Sequence, residues 1–245
     1  MRISALRDRT SVRRVRCRPR VTRWAWPART VRRVNEPLEA VTGTSADECV
    51  RATTTRVFLA LAPPDGAKEE LARALRPAYD AYPHLRWNRI EDWHITLAFL
   101  GELPVTAVPP LMSPLAALAT RQAPLRLALH GGGHFDERVL WTGVTGDLEG
   151  LHRLAIDVRA LVRECGVAFP DRPLRPHLTL ARSRRGDQAA TVEAAAGLAG
   201  FAGRSWEAGR LHLVGSNIGR GPGPIHYRDI EAWDFRGGAG PEKER

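Results

Sequence analysis

Residues 91–101 read EDWHITLAFLG, and residues 174–184 read LRPHLTLARSR. Each contains His, any residue, Thr, Leu, starting once at His94 and once at His177. An imidazole has an ordinary pKa near ~6.5, so it can give or take a proton at neutral pH. A threonine hydroxyl can donate a hydrogen bond to an anionic oxygen. On a strand, residues two apart share a face. His94 and Thr96 therefore point one way while Ile95 and Leu97 point into the core. His177 and Thr179 do the same against Leu178 and Leu180. Two such strands side by side would present two imidazoles and two hydroxyls to a single pocket.

That set suits an in-line displacement at phosphorus. The reaction needs a base on the attacking oxygen, an acid on the leaving oxygen and donors on the non-bridging oxygens. No metal is required, and none is expected, because no carboxylates cluster with the motifs. No cofactor is expected either. A lone strand histidine is ordinarily a hydrogen-bonded structural residue. Two matched copies arise by chance on the order of one time in a thousand, so the pair reads as functional. These residues alone leave the acid and base roles interchangeable.

Elements must position the two motifs. RVFLALAPP, 56–64, reads as a short buried strand stopped by two prolines. DGAKEELARALRPAYDAY, 65–82, has Leu71, Leu75, Ala78 and Tyr82 at helical spacing, with Asp65 at its start. Residues 94–99 are strand-like, and 105–121 are helical with three prolines that blur the start. Two strands, 125–130 and 138–144, flank a glycine-rich loop, GGGHFDE. An amphipathic helix covers 148–166, a strand 177–182 and a helix 187–199. The segments AGRLHLVGSN and HYRDIEAWDF close the chain as strands. Strand, helix, His-x-Thr-Leu strand thus occurs twice. The pattern predicts an α+β fold: two pseudo-symmetric lobes of antiparallel sheet, helices outside, and a central cleft.

The 245 residues carry a formal net charge of +10. That charge is local. Residues 1–35 hold twelve Arg and one acid, Asp8, leaving 25 basic and 26 acidic residues in the rest of the chain. Residues 1–54 read as an Arg-rich, disordered extension, with an RNA-binding arm or a targeting segment as alternatives. Residues 55–236 read as the catalytic domain and 237–245 as a polar tail. No run of 18 apolar residues suggests a membrane span. Cys17, Cys49 and Cys165 are too few and too scattered for a disulfide framework, which fits a reduced, cytoplasmic setting.

The chain resembles the two-histidine (2H) phosphoesterases, and within them the RNA 2′,3′-cyclic phosphodiesterases, also called 2′–5′ RNA ligase-like proteins. The likeness covers roughly residues 56–235. It is carried by RVFLALAPPD, LRWNRIEDWHITLAFLGEL, RPLRPHLTLAR and LHLVGSN…YRDIEAW. The resemblance implies hydrolysis of an RNA-terminal 2′,3′-cyclic phosphate to a 2′-phosphomonoester, with 2′–5′ ligation as the reverse. It implies His94 as proton donor, His177 as proton acceptor, and Thr96 and Thr179 as phosphate-holding hydroxyls. Phe99 matches a base-stacking position and Arg182 a basic position near the phosphate, a role that suits a permanent charge. RNA ends or cyclic nucleotides would be the substrate, and a monomer is expected.

Other residues invite other readings. HGGGHF, 130–135, is like a lipase oxyanion loop, but no G-x-S-x-G elbow accompanies it. His130 and His134 lack a third ligand for a metal. Trp87 and Trp93 read as packing residues, and Arg175 could reach the cleft or face solvent. Two competing functions stay open. One is an RNA-end binding module without turnover, which would not need two titratable groups. The other is an enzyme acting on a small cyclic nucleotide or a nucleotide-sugar cyclic phosphate.

Overall fold

The computed structural model describes residues 54–170, 172–184, 186–216 and 227–237, all within one compact unit. The Arg-rich extension and all of the tail after Gly237 lie outside the described residues.

The strands are β1 (Thr54–Leu61), β2 (Arg86–Trp87), β3 (Ile95–Pro104), β4 (Leu125–Phe135), β5 (Val139–Gly146), β6 (His177–Arg182), β7 (Trp206–Ala208), β8 (Arg210–Ser216) and β9 (Tyr227–Asp234). The helices are α1 (Asp65–Ala81), α2 (Pro109–Arg121), α3 (Leu148–Glu164) and α4 (Gln188–Gly197). The strands form one antiparallel sheet in the order β7-β4-β5-β6-β3-β1-β8-β9, with β2 added on β6. The two expected lobes are the halves of this sheet. They meet where β3 pairs β6, at Ile95 opposite Leu178.

The core lies on the side of the sheet that carries the helices. Val57, Leu59 and Leu61 of β1, with Ile95 and Leu97 of β3, meet Leu71 and Leu75 of α1 and Leu151, Leu154 and Val158 of α3. Alternation produces this: Phe58 and Ala60 fall on the opposite face, in a separate small cluster with Val214 and Tyr227. Asp147 caps α3 by accepting from the Gly150 N–H at 2.8 Å. Trp93 is buried in the core, and Trp87 packs edge-on against Tyr79 with ring centroids 4.4 Å apart. Both are packing residues.

One expectation needs correction. The glycines after His130 are not a loop. β4 continues through them with a bulge at Gly131 (φ 63°), pairing Gly132 with Thr142 and Gly133 with Trp141. The turn comes later, at Asp136 (φ 48°) and Glu137 (φ 56°), two consecutive left-handed residues that match strand twist. Gly132 and Gly133 serve packing instead. A Cβ on Gly132 would come within 2.7 Å of the Ala195 carbonyl of α4, and one on Gly133 would overlap the Trp141 indole.

Candidate active site

The β3–β6 pair builds the site. In an antiparallel register centred on Ile95 and Leu178, His94 stands across from Thr179 and Thr96 across from His177. Each imidazole thus faces the other motif's hydroxyl on one side of the sheet. Neither threonine hydroxyl has a protein hydrogen-bond partner among the described residues. Both are free to bind an anion.

The two histidines are held alike. His94 Nδ1 lies 2.6 Å from the Asp92 carbonyl, and His177 Nδ1 lies 2.6 Å from the Arg175 carbonyl. A carbonyl only accepts, so each Nδ1 carries the hydrogen and each Nε2 is left for chemistry. Both pKa values are lowered. Burial pushes His94 down to about 4; the bond to Asp92 opposes this, while the charges of His177, Lys68 and His212 add to it. His177 is lowered by burial too, against its bond to Arg175 and helped by the charges of Arg182 and Arg175. With both shifts downward, both rings are neutral near pH 7.

Their surroundings differ. His94 stacks on Phe58 (centroids 4.5 Å, 27° between planes), and Tyr227 closes edge-on at 5.3 Å. Small Ala60, between Phe58 and Thr96 on this face, leaves room for that stack. His177 meets Phe135 edge-on at 4.9 Å, and Arg175 lies 5.9 Å over that ring. Trp141 pairs with Thr179 and Gly143 with His177.

Both strands carry a bulge at the same point of the motif. β3 pairs Thr96 with Ala60 and Ala98 with Leu59, so Leu97 is the extra residue. β6 pairs Thr179 with Trp141 and Ala181 with Leu140, so Leu180 is the extra residue. A bulge puts two successive side chains on one face. Leu97 and Ala98 are both buried, as are Leu180 and Ala181. The next residues, Phe99 and Arg182, are therefore turned to the histidine face, and both are exposed. The bulge carbonyls are satisfied from outside the two ladders. Arg159 Nε of α3 donates to Leu97 at 3.0 Å, and the Asn88 N–H donates to Leu180 at 2.8 Å.

The structure thus brings together His94, Thr96, Phe99, His177, Thr179 and Arg182. His130 stands across Gly143 from His177, and His134 lies further along β4. Among the described residues no group of three His, Cys, Asp or Glu could hold a metal. Sequence reasoning missed several residues of this face, Phe135 and Trp141 beside His177 among them. Phe58 and Tyr227 flank His94, and His212 lies across Ala60 from Thr96, bonded to Asp229 at 2.9 Å. Only their alternation along their strands could have signalled them, and that needs the strand order.

The antiparallel sheet thus carries one His-x-Thr run on each of its two central strands. Residues 51–219 match the 2′-5′ RNA ligase superfamily, and the chain belongs to that family. It is 31% identical over 199 residues to the RNA 2′,3′-cyclic phosphodiesterase of Thermus thermophilus, covering 77% of this chain and 94% of that protein. It is 37% identical over 134 residues to the enzyme of that name from Geobacillus stearothermophilus, covering 53% of this chain and 42% of that protein. The fold matches the crystal structure of TT0787 of Thermus thermophilus with a TM-score of 0.61 at 27% identity, over 74% of this chain and 98% of that one. It also matches Escherichia coli LigT complexed with ATP, with a TM-score of 0.57 at 24% identity, over 75% and 99%. Among the described residues no helix is long and apolar enough to cross a membrane.

Proposed function

We propose that the protein hydrolyses an RNA-terminal 2′,3′-cyclic phosphate to a 2′-phosphomonoester. The carrying observation is the pairing of Ile95 with Leu178, which sets the two His-x-Thr runs side by side on the central strands. It sets two proton-transfer groups and two unengaged hydroxyls on one face of adjacent strands. The names of the relatives support the substrate class.

In this reading Thr96 and Thr179 donate to the non-bridging oxygens. His177 Nε2 takes a proton from water as its oxygen bonds to phosphorus. His94 Nε2 gives a proton to the departing 3′-oxygen as the P–O3′ bond breaks. The products are a 2′-phosphate and a 3′-hydroxyl, and solvent returns the histidines to their starting states. The low pKa of His177 suits a base. His94 by itself is neutral near pH 7, so its donor role requires the anionic phosphate to raise its pKa on binding. Phe99 stacks on the base, and Arg182 adds charge near the phosphate. With a 5′-hydroxyl attacking in place of water, the same proton transfers open the cyclic phosphate to a 2′–5′ phosphodiester and a 3′-hydroxyl.

The test is incubation with uridine 2′,3′-cyclic phosphate and assignment of the product by phosphorus NMR. The 2′-monophosphate is expected. No turnover of this or of an RNA ending in a cyclic phosphate would leave only a binding role. Turnover of a nucleotide-sugar cyclic phosphate alone would move the substrate class.

A further inference from the structure

β2 is two residues long and lies off the main strand order, yet it is firmly anchored. The Trp87 indole N–H donates to the Tyr82 carbonyl at 3.0 Å. The Asn88 main chain and side chain hold the Leu180 and Thr179 carbonyls at 2.8 and 3.0 Å. These contacts fix the register, and in that register Arg86 stands directly opposite Arg182. Residues directly opposite share a face. The bulge at Leu180 turns Arg182 to the histidine face, so Arg86 lies there too. Like charges directly opposite destabilise a sheet pair. Both arginines are exposed, and neither has an acidic partner among the described residues. Arg182 is near enough for its charge to act on both His177 and Tyr227. The fold thus gathers two uncompensated guanidinium groups at the edge of the site.

We propose that Arg86, standing beside Arg182, extends the site into a subsite for a second phosphate, the phosphodiester on the 5′ side of the terminal nucleotide. This rests on the cyclic-phosphate reading above. Thr179 and Arg182 stand opposite Trp141 and Val139, two residues apart on β5, so roughly 7 Å of strand separates them, and Arg86, opposite Arg182, lies beyond the reacting phosphate and beside the next one. A guanidinium fork pairs two phosphate oxygens at once. The subsite makes a continuing RNA chain a better substrate than a single nucleotide.

The experiment compares Arg86→Gln with the wild type in the full chain. The substrates are uridine 2′,3′-cyclic phosphate, which has no second phosphate, and a diuridine ending in the same group. The kcat/KM should fall about tenfold on the diuridine and stay within about twofold on the mononucleotide. Equal loss on both substrates, or on neither, would overturn the subsite. Wild-type turnover of the mononucleotide tests the underlying reading separately. A second measurement needs no turnover: anisotropy of a labelled short RNA ending in a 2′-phosphate. Arg86→Gln should weaken binding about tenfold and lower the salt slope by about one. Arg89→Gln, on the same segment but ion-paired with Glu91, is the control and should change little. Equal weakening by the control would reduce the effect to general charge and sink the proposal.

Discussion

The two halves of the site share a skeleton and differ in what clothes it. His-x-Thr-Leu-Ala is followed by Phe99 in one half and Arg182 in the other. Both halves fix the histidine through Nδ1 to the carbonyl two residues back, and both bulge at the leucine. In the first half Phe58 stacks on His94 and Tyr227 closes edge-on, and the His94 pKa falls to about 4. The second half is cationic: Arg175 and Arg182 act on His177, and Arg86 joins from β2. The bulges are also held differently. A side chain, Arg159, satisfies the first and a main-chain N–H the second. Duplicated backbone geometry thus places the two histidines and two threonines alike, while the residues that flank them differ between the halves.

The sharpest way to break this comparison is to remove each histidine. General acid–base groups contribute roughly 10²–10⁴-fold. His94→Ala and His177→Ala should each lower kcat on a 2′,3′-cyclic nucleotide by at least a hundredfold, with folding retained by circular dichroism. The double variant should lose less than the product of the two, because both act in one transition state. Near wild-type turnover in either variant would make that histidine structural.

The second prediction separates the halves by proton affinity. His94 is depressed to about 4 from an ordinary 6.5. Above about pH 6.5 it is neutral folded or unfolded. As pH falls from there toward 4 the unfolded chain takes up the proton first, so stability is lost across that window. The loss is at most about 3 kcal/mol. Urea unfolding of the wild type at pH 7.5 and 4.5 should show a larger drop than His94→Gln shows. Nitrogen-15 NMR should also find the His94 pKa raised when a 2′-nucleotide is bound. An unchanged pKa on binding would argue against His94 as the donor.

A smaller effect is expected at the first bulge. Phe99→Ala should raise KM for a cyclic nucleotide by about tenfold, in keeping with ~1–3 kcal/mol for a base–aromatic stack. Arg159→Met should raise it a fewfold with little change in kcat, since it frees the Leu97 carbonyl that fixes the turn toward Phe99. Neither variant should matter for ribose 2′,3′-cyclic phosphate, which has no base. The smallest effect is that of chelation. Saturating EDTA should leave the rate unchanged. Loss on chelation with rescue by a divalent ion would replace the two-imidazole scheme.

The amino-acid sequence determined the chemistry and its local geometry. Two His-x-Thr-Leu runs on strands fix which side chains share a face, because alternation is a property of the strand itself. Strand, helix, strand, twice over, was enough to set the two-lobed α+β plan. What alternation cannot give is register between distant strands. Counted strictly from His94 and His177, Phe99 and Arg182 fall on the core side with Leu97 and Leu180. The bulges reverse this, and they exist only because β3 is matched against β1 and β6 against β5. The same holds for the glycine run, which reads as a loop until α4 and the Trp141 ring occupy the space its missing side chains leave. It holds too for Arg86, whose place opposite Arg182 depends on a two-residue strand held by Trp87 and Asn88. Register is set by contacts far apart in the chain, and so the tertiary structure alone decided which residues complete the site.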